Sequence, residues 1–364
     1  MIKKTLKLIV LGIIIGIFLY PFYCWYGYGI NIFLNGFIQN GQEIYHYEHG
    51  VISVGAKEID QDKYLFAEDG KMIQGTLVTK NDRFAYFGED GKMINGNVEI
   101  DGIKVNIDDE FQLTKNIQFL ENEVRQRFAK EPNVSYSLYY QDLNTGQILT
   151  INDQTMYPCS IIKVAVMASV FAEISAGNLT YEQCRSYLWP MITYSDNTSY
   201  NILLKMLGEG DGLAGAKKVN ENLRTWGCLD TEIHHGLLEG EFYFTDGASN
   251  IASPKDIGKI FSLIYEGKIA GREETKQMME ILLACEDNSG LAGGLDQSVA
   301  YAHKSGWAYD YYHDGGIIGD DYILVVFTDG ALDHEMLMQD ISKIFCIYDE
   351  QFNSLKNTAI KNTN

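Results

Sequence analysis

The chain has 364 residues, 46% of them hydrophobic and only five of them proline, which is enough for a large core and two domains. Its formal net charge of −20 excludes a nucleic-acid partner, because phosphate contacts need clustered lysine and arginine.

Lys3, Lys4 and Lys7 precede 23 uncharged residues, 8–30, a run long enough to span a bilayer. Residues 20–23, ahead of Cys24, are too bulky for a lipoprotein-type cleavage site, and no small-residue cleavage site follows the run. Tyr20, Tyr23, Trp25, Tyr26 and Tyr28 suit an interfacial aromatic belt. The lysines hold their end in the cytoplasm. The prediction is a single-pass membrane anchor over 1–30 with the rest of the chain outside the cell.

Residues 31–113 carry an internal repeat. YLFAEDGKMIQG (64–75) returns as AYFGEDGKMING (85–96), a shift of 21 residues. YHYEHGVISVG (45–55) fits the same frame, and VNIDDEFQL (105–113) is a degraded copy. Each copy reads as an aromatic strand, an Asp-Gly turn and a short strand ending at glycine, that is, one β-hairpin. A lone hairpin is marginal in water, so successive units must stack. These units resemble the cell-wall-binding repeats of Gram-positive surface proteins, which implies a cell-wall polymer as ligand. Choline cages in that family are typically built from tryptophan, and residues 41–113 contain none. The alternative is a spacer.

From residue 114 the texture changes. Residues 118–130 have helical spacing, and 135–151 alternate like two strands around Asn144-Thr145-Gly146. An apolar helix begins near Ser160, and further helices are predicted over 198–207, 214–225, 255–266 and 273–285. Strands at 298–305, 314–319 and 322–328 precede a helix over 332–348. Strands from both ends with helices between them make an α+β domain, one antiparallel sheet flanked by helices plus an all-helical lobe, over 114–352. The polar tail, 353–364, is predicted to be disordered.

Three short motifs carry chemistry. Ser160 and Lys163 form S-x-x-K at a helix start, where residues three apart share a face. A buried amine sheds its proton more readily and can then activate a serine. Ser195-Asp196-Asn197 opens the next helix, and Asp196 or Asn197 also suits a helix cap. Lys304-Ser305-Gly306 lies on a late strand. Cys24 falls in the anchor, leaving five cysteines outside it (Cys159, Cys184, Cys228, Cys285, Cys346), an odd number read as buried thiols. Gly210-x-Gly212-x-x-Gly215 matches a dinucleotide fingerprint in letters only and is read as a helix–helix loop, so no cofactor is called. The adjacent His234 and His235 lack a third ligand at metal spacing, so no metal is called either.

The three motifs in this order resemble those of the class A β-lactamase and penicillin-binding serine hydrolase superfamily. By match, Ser160 is the acylated nucleophile, Lys163 its activating amine, and Ser195 the relay that protonates the leaving nitrogen. Asn197 holds the substrate's side-chain amide. Lys304, Ser305 and Gly306 form the motif that draws the substrate carboxylate, and the N–H groups of Ser160 and Trp307 make an oxyanion hole. The resemblance implies an acyl-enzyme with β-lactams or D-Ala-type peptides. Two departures stand out: the segment between Lys163 and Ser195 is short, and Leu237 stands where the deacylating glutamate belongs. Glu239 and Glu241 are the nearby candidates for that base. Without one, the acyl-enzyme clears slowly. The expected protein is therefore a membrane-anchored extracellular serine hydrolase. The alternatives are a D,D-peptidase or β-lactam sensor acting on peptidoglycan, and an inert wall-binding adhesin.

Overall fold

The computed structural model describes residues 34–237, 240 and 242–361. The predicted anchor and both Glu239 and Glu241 lie outside the described residues. Among the described residues, no helix is long and apolar enough to cross a membrane. The chain forms two compact units: one takes the residues up to Asn116 and resumes at Gln351, and the other is Ile117–Glu350.

The first unit is built from short antiparallel strands. β1 (Gly36–Asn40), β2 (Glu43–Glu48) and β3 (Val51–Ile52) form one meander. β4 (Gly55–Ile59) pairs β5 (Asp62–Phe66), while β6 (Thr76–Lys80), β7 (Arg83–Phe87) and β8 (Met93–Ile94) repeat the meander. β9 (Gly96–Ile100), β10 (Ile103–Ile107) and β11 (Leu113–Lys115) close the series. The expected hairpin exists as β7–β8, with Phe87 opposite Met93 across the Asp90-Gly91 turn. It is only the second half of each unit. The preceding strand joins through tight turns such as Asn81-Asp82, where φ is +53° and +58°, the left-handed pair that a two-residue hairpin loop requires. Successive units are linked as predicted: Met72 N–H donates to Ile44 O at 2.7 Å and Phe84 N–H to Phe111 O at 2.7 Å.

The second unit holds a five-stranded antiparallel sheet. Its strands are β12 (Ser135–Asp142), β13 (Ile148–Ile151), β14 (Tyr301–Ala308), β15 (Tyr311–Ile318) and β16 (Tyr322–Asp329), in the order β13-β12-β16-β15-β14. α1 (Ile117–Phe128) precedes the sheet. α2 (Lys163–Ser175) is buried without a break from Lys163 to Phe171, as a helix apolar on all sides must be. Around it lie α3 (Tyr181–Thr193), α4 (Asn197–Leu207), α5 (Gly212–Thr225), α6 (Pro254–Tyr265) and α7 (Arg272–Leu283). α6 packs closely on the sheet at Gly258, where a Cβ would stand 2.1 Å from the Tyr139 ring.

Three readings need correction. α3 was not anticipated, because Pro190 interrupts its pattern, although Thr180 and Gln183 form a capping box at its start. Gly212 and Gly215 are not in a loop but inside α5, capped by Asp211; a Cβ at Gly215 would lie 1.8 Å from Leu204 O, so that glycine serves helix packing. Finally, the tail is structured as far as Lys361. α8 runs His334–Thr358, and β17 (Ile360–Lys361) pairs in parallel with β6. Phe352 and Leu355, three residues apart on one face, enter the apolar cluster of Leu77, Phe84 and Val105. A polar composition around two apolar anchors concealed this.

Candidate active site

Ser160 lies in a single 3₁₀ turn, Cys159–Ile162, that runs directly into α2. Cys159 before it has φ +50°, and Ser195, between α3 and α4, has φ +59°. Each left-handed non-glycine residue costs about 1–3 kcal/mol, a strain that clusters at functional sites. Gly306 on β14 allows close approach to this turn: a Cβ there would lie 2.5 Å from Ser160 N and 2.7 Å from Ile161 N. His313, opposite Gly306 on the neighbouring strand β15, holds the chain just before the turn, its Nε2 2.9 Å from Tyr157 O.

Lys163 is fully buried. Its Nζ is 2.8 Å from Ser160 Oγ, 3.1 Å from Ser195 Oγ, 2.7 Å from Ser195 O and 2.7 Å from Asn197 Oδ1. Burial holds the amine well below the usual lysine range, and the Lys304 charge adds to that. An ammonium has three protons to share among these four oxygens. A neutral amine has two, which suit the pure acceptors Ser195 O and Asn197 Oδ1, and a lone pair left for a serine hydroxyl. The arrangement can therefore take a proton from Ser160. Asp196 turns away to cap α4, accepting from Ser199 N–H at 2.7 Å.

The cleft is about 1000 Å³ and is lined by Ser160, Ser195, Asn197, Lys304, Ser305 and Trp307 among others. The structure thus gathers all three motifs around one cavity. Lys304 is buried, which lowers its pKa, and its Nζ donates to Ser305 O at 2.7 Å. Trp307 stands 72% exposed at the rim. Cys159 is no rival nucleophile: burial pushes its thiol up to about 12. Cys159, Cys184, Cys228, Cys285 and Cys346 are all free, and all but Cys346 are buried. Leu237 lies in the core, its backbone N–H and C=O both bonded to the Asn201 side chain. The Leu237 side chain itself offers no proton acceptor.

The sequence reading did not anticipate Asp287, in the loop after α7. It lines the same cleft and accepts from Ser305 Oγ at 2.6 Å and Ser289 Oγ at 2.8 Å. Burial opposes its charge, but these bonds outweigh that and hold its carboxyl below the ordinary value. No motif marks this aspartate; only the fold brings it to Ser305.

This fold, with a nucleophile-and-amine pair in a cleft between sheet and helical lobe, defines a serine hydrolase that works through an acyl-enzyme. The chain matches the model of the Beta-lactamase enzyme family over residues 118–187 and 183–351, and it belongs to that family. Residues 53–97 match the Choline-binding repeat. Among solved structures it is similar to PBP-A, with TM-score 0.57 and 22% identity over 64% of this chain and 96% of that one. A mutant of PBP-A, described as an acyl-enzyme complex with penicillin G, gives TM-score 0.56 and 22% identity over 64% and 97%. A β-lactamase from Sphaerobacter thermophilus gives TM-score 0.55 and 17% identity over 65% and 98%. At these identities the likeness speaks for the fold.

Proposed function

We propose that this chain is a membrane-anchored, outward-facing hydrolase in which Ser160 is acylated by β-lactams or D-Ala-type peptides and then released slowly. One observation carries the reading: a fully buried Lys163 Nζ lies 2.8 Å from Ser160 Oγ. In the first step Lys163 takes the hydroxyl proton and Ser160 Oγ bonds to the substrate carbonyl carbon. The carbonyl oxygen becomes an oxyanion held by the Ser160 and Trp307 N–H groups. The carbon–nitrogen bond then breaks. The nitrogen receives its proton through Ser195, whose Oγ is 3.1 Å from the amine that holds it. An ester on Ser160 remains, with Asn197 and the Lys304-Ser305-Gly306 strand gripping the acyl donor.

Hydrolysis of that ester needs a water activated by a base, and Leu237 offers none. Loss of one placed base costs about 10²- to 10⁴-fold in rate. The test is intact-protein mass spectrometry after mixing with penicillin G. One adduct per chain should form, persist over many minutes, and be absent in Ser160→Ala. An adduct that never accumulates while penicillin is consumed quickly would show an efficient deacylation base and hence an ordinary β-lactamase. For the anchor, external protease on intact cells should digest the hydrolase unit. Its survival until lysis would reverse the orientation.

A second reading is a D,D-peptidase or β-lactam sensor acting on peptidoglycan, for which a stable penicillin adduct, such as the one described for the PBP-A mutant, is equally suitable. Turnover of a D-Ala-D-Ala ester, compared with that of penicillin, separates the two.

A further inference from the structure

We infer that Asp287 sets substrate choice, occupying the carboxylate-binding position with a carboxylate of the protein's own, so that the preferred acyl donor is neutral or cationic beside its leaving nitrogen. The inference rests on the acyl-enzyme reading above and narrows it: β-lactams and D-Ala-type peptides with a free carboxylate there still acylate Ser160, but more slowly than donors in which that group is masked or replaced by a cation.

The reasoning is one of donor supply. A serine hydroxyl has a single proton. The Ser305 proton is directed to Asp287 Oδ2 at 2.6 Å, the short distance of a charge-assisted bond. Asp287 is not a swinging side chain: Ser289 donates to its other oxygen from both Oγ, at 2.8 Å, and N, at 3.3 Å. Ser289 Oγ is in turn 3.0 Å from Tyr312 OH. A substrate carboxylate can only accept. It would find the Ser305 proton taken and a fixed negative charge in its place. Glu286, Asp333 and Glu335 line the same cleft, facing Lys304 and His334 as its only basic side chains among the described residues. A neutral ester or amide escapes the repulsion, and a cationic group gains from it. That chemistry fits a peptide acyl donor whose chain continues past the scissile bond or ends in an amine.

The experiment compares acylation rate constants for penicillin G as free acid, methyl ester and trimethylammonioethyl ester, read by mass spectrometry. The expected order is cationic, then neutral, then anionic. Like charges a few ångströms apart in a partly screened cleft correspond to about ten- to a hundredfold between the extremes. Asp287→Asn keeps the shape and an acceptor oxygen for Ser305, so the order should collapse and the acid-to-ester ratio rise at least about tenfold. Added salt should speed acylation by the free acid more in the unaltered protein than in the variant, where Glu286, Asp333 and Glu335 remain, a difference that a merely structural role would not give. If the free acid is the fastest donor in the unaltered protein, or if the ester preference persists in Asp287→Asn, the assignment to Asp287 is wrong while acylation at Ser160 stands. No adduct with any of the three would remove the acyl-enzyme reading and this one with it.

Discussion

Gly306→Ala tests how tightly the strand and the nucleophile are fitted. The added Cβ would stand 2.5 Å from Ser160 N, 2.7 Å from Ile161 N and 3.0 Å from Ser160 Cα. All three are backbone atoms, so no flexible side chain can yield. Ordinary contact is about 3.5 Å, so strand and turn must part by about 1 Å. The backbone at Gly306 needs no left-handed conformation, so the methyl acts through crowding alone. Overpacking of this kind costs about 1–3 kcal/mol, which a sheet with full register from Tyr301 to Ala308 can absorb without unfolding. The catalytic cost is similar in energy but easier to see, because a displacement of about 1 Å at reacting groups costs about a hundredfold in rate. Stopped acylation samples, weighed by mass spectrometry, should show that fall together with a cooperative melting transition. A rate within about twofold of the unaltered protein would mean that the β14 strand does not define the geometry at Ser160.

Lys163→Ala should slow adduct formation by about 10²- to 10⁴-fold, and the residual rate should lose the pH dependence that the lowered lysine pKa confers; a variant that keeps a tenth of the rate would place the base elsewhere. Two buried histidines give stability a pH optimum. His303 loses from burial but gains more from Asp314, which raises it to about 10, so its contribution is complete below about 6.5 and fades as pH climbs toward 10. Burial lowers His313 to about 4, so its contribution is complete above about 6.5 and fades as pH drops toward 4. Urea unfolding across this range should peak near pH 6.5, and His303→Gln should flatten the alkaline limb; an unchanged limb would count against the Asp314 pairing. Leu355→Ala should cost the repeat unit about 2–4 kcal/mol, seen as faster amide exchange at Val105 and Ile107, with acylation by penicillin unaltered. Slower acylation would tie the repeats to the active site.

The three motifs were legible because each depends on local spacing: three residues on a helix put Lys163 beside Ser160, and a cap sequence places Ser195 and Asn197. The strands of the sheet were found within about three residues, since their alternation is strong. Asp287 was invisible, because its partnership with Ser305 is made by the return of a loop across the sheet edge and leaves no pattern in either segment. Glycine at 306 and 215 gave no hint of the contacts that require it. In the repeats, the Asp-Gly turns stand out in the sequence, whereas the strands ahead of them, β4 and β6, carry no comparable mark.

The course of α8 carries a consequence for assembly and breakage. The chain leaves the repeat unit at Asn116 and comes back to it at Gln351, so two covalent crossings join the units. A single protease cut near residue 116 would leave the enzyme held to the repeats only non-covalently, by the segment after Gln351 that packs into them. The order of synthesis is affected too. The repeats emerge first, yet the side chains of Phe352 and Leu355 that finish their core arrive only after the whole hydrolase has been made. Until then that apolar cluster lacks two of its side chains.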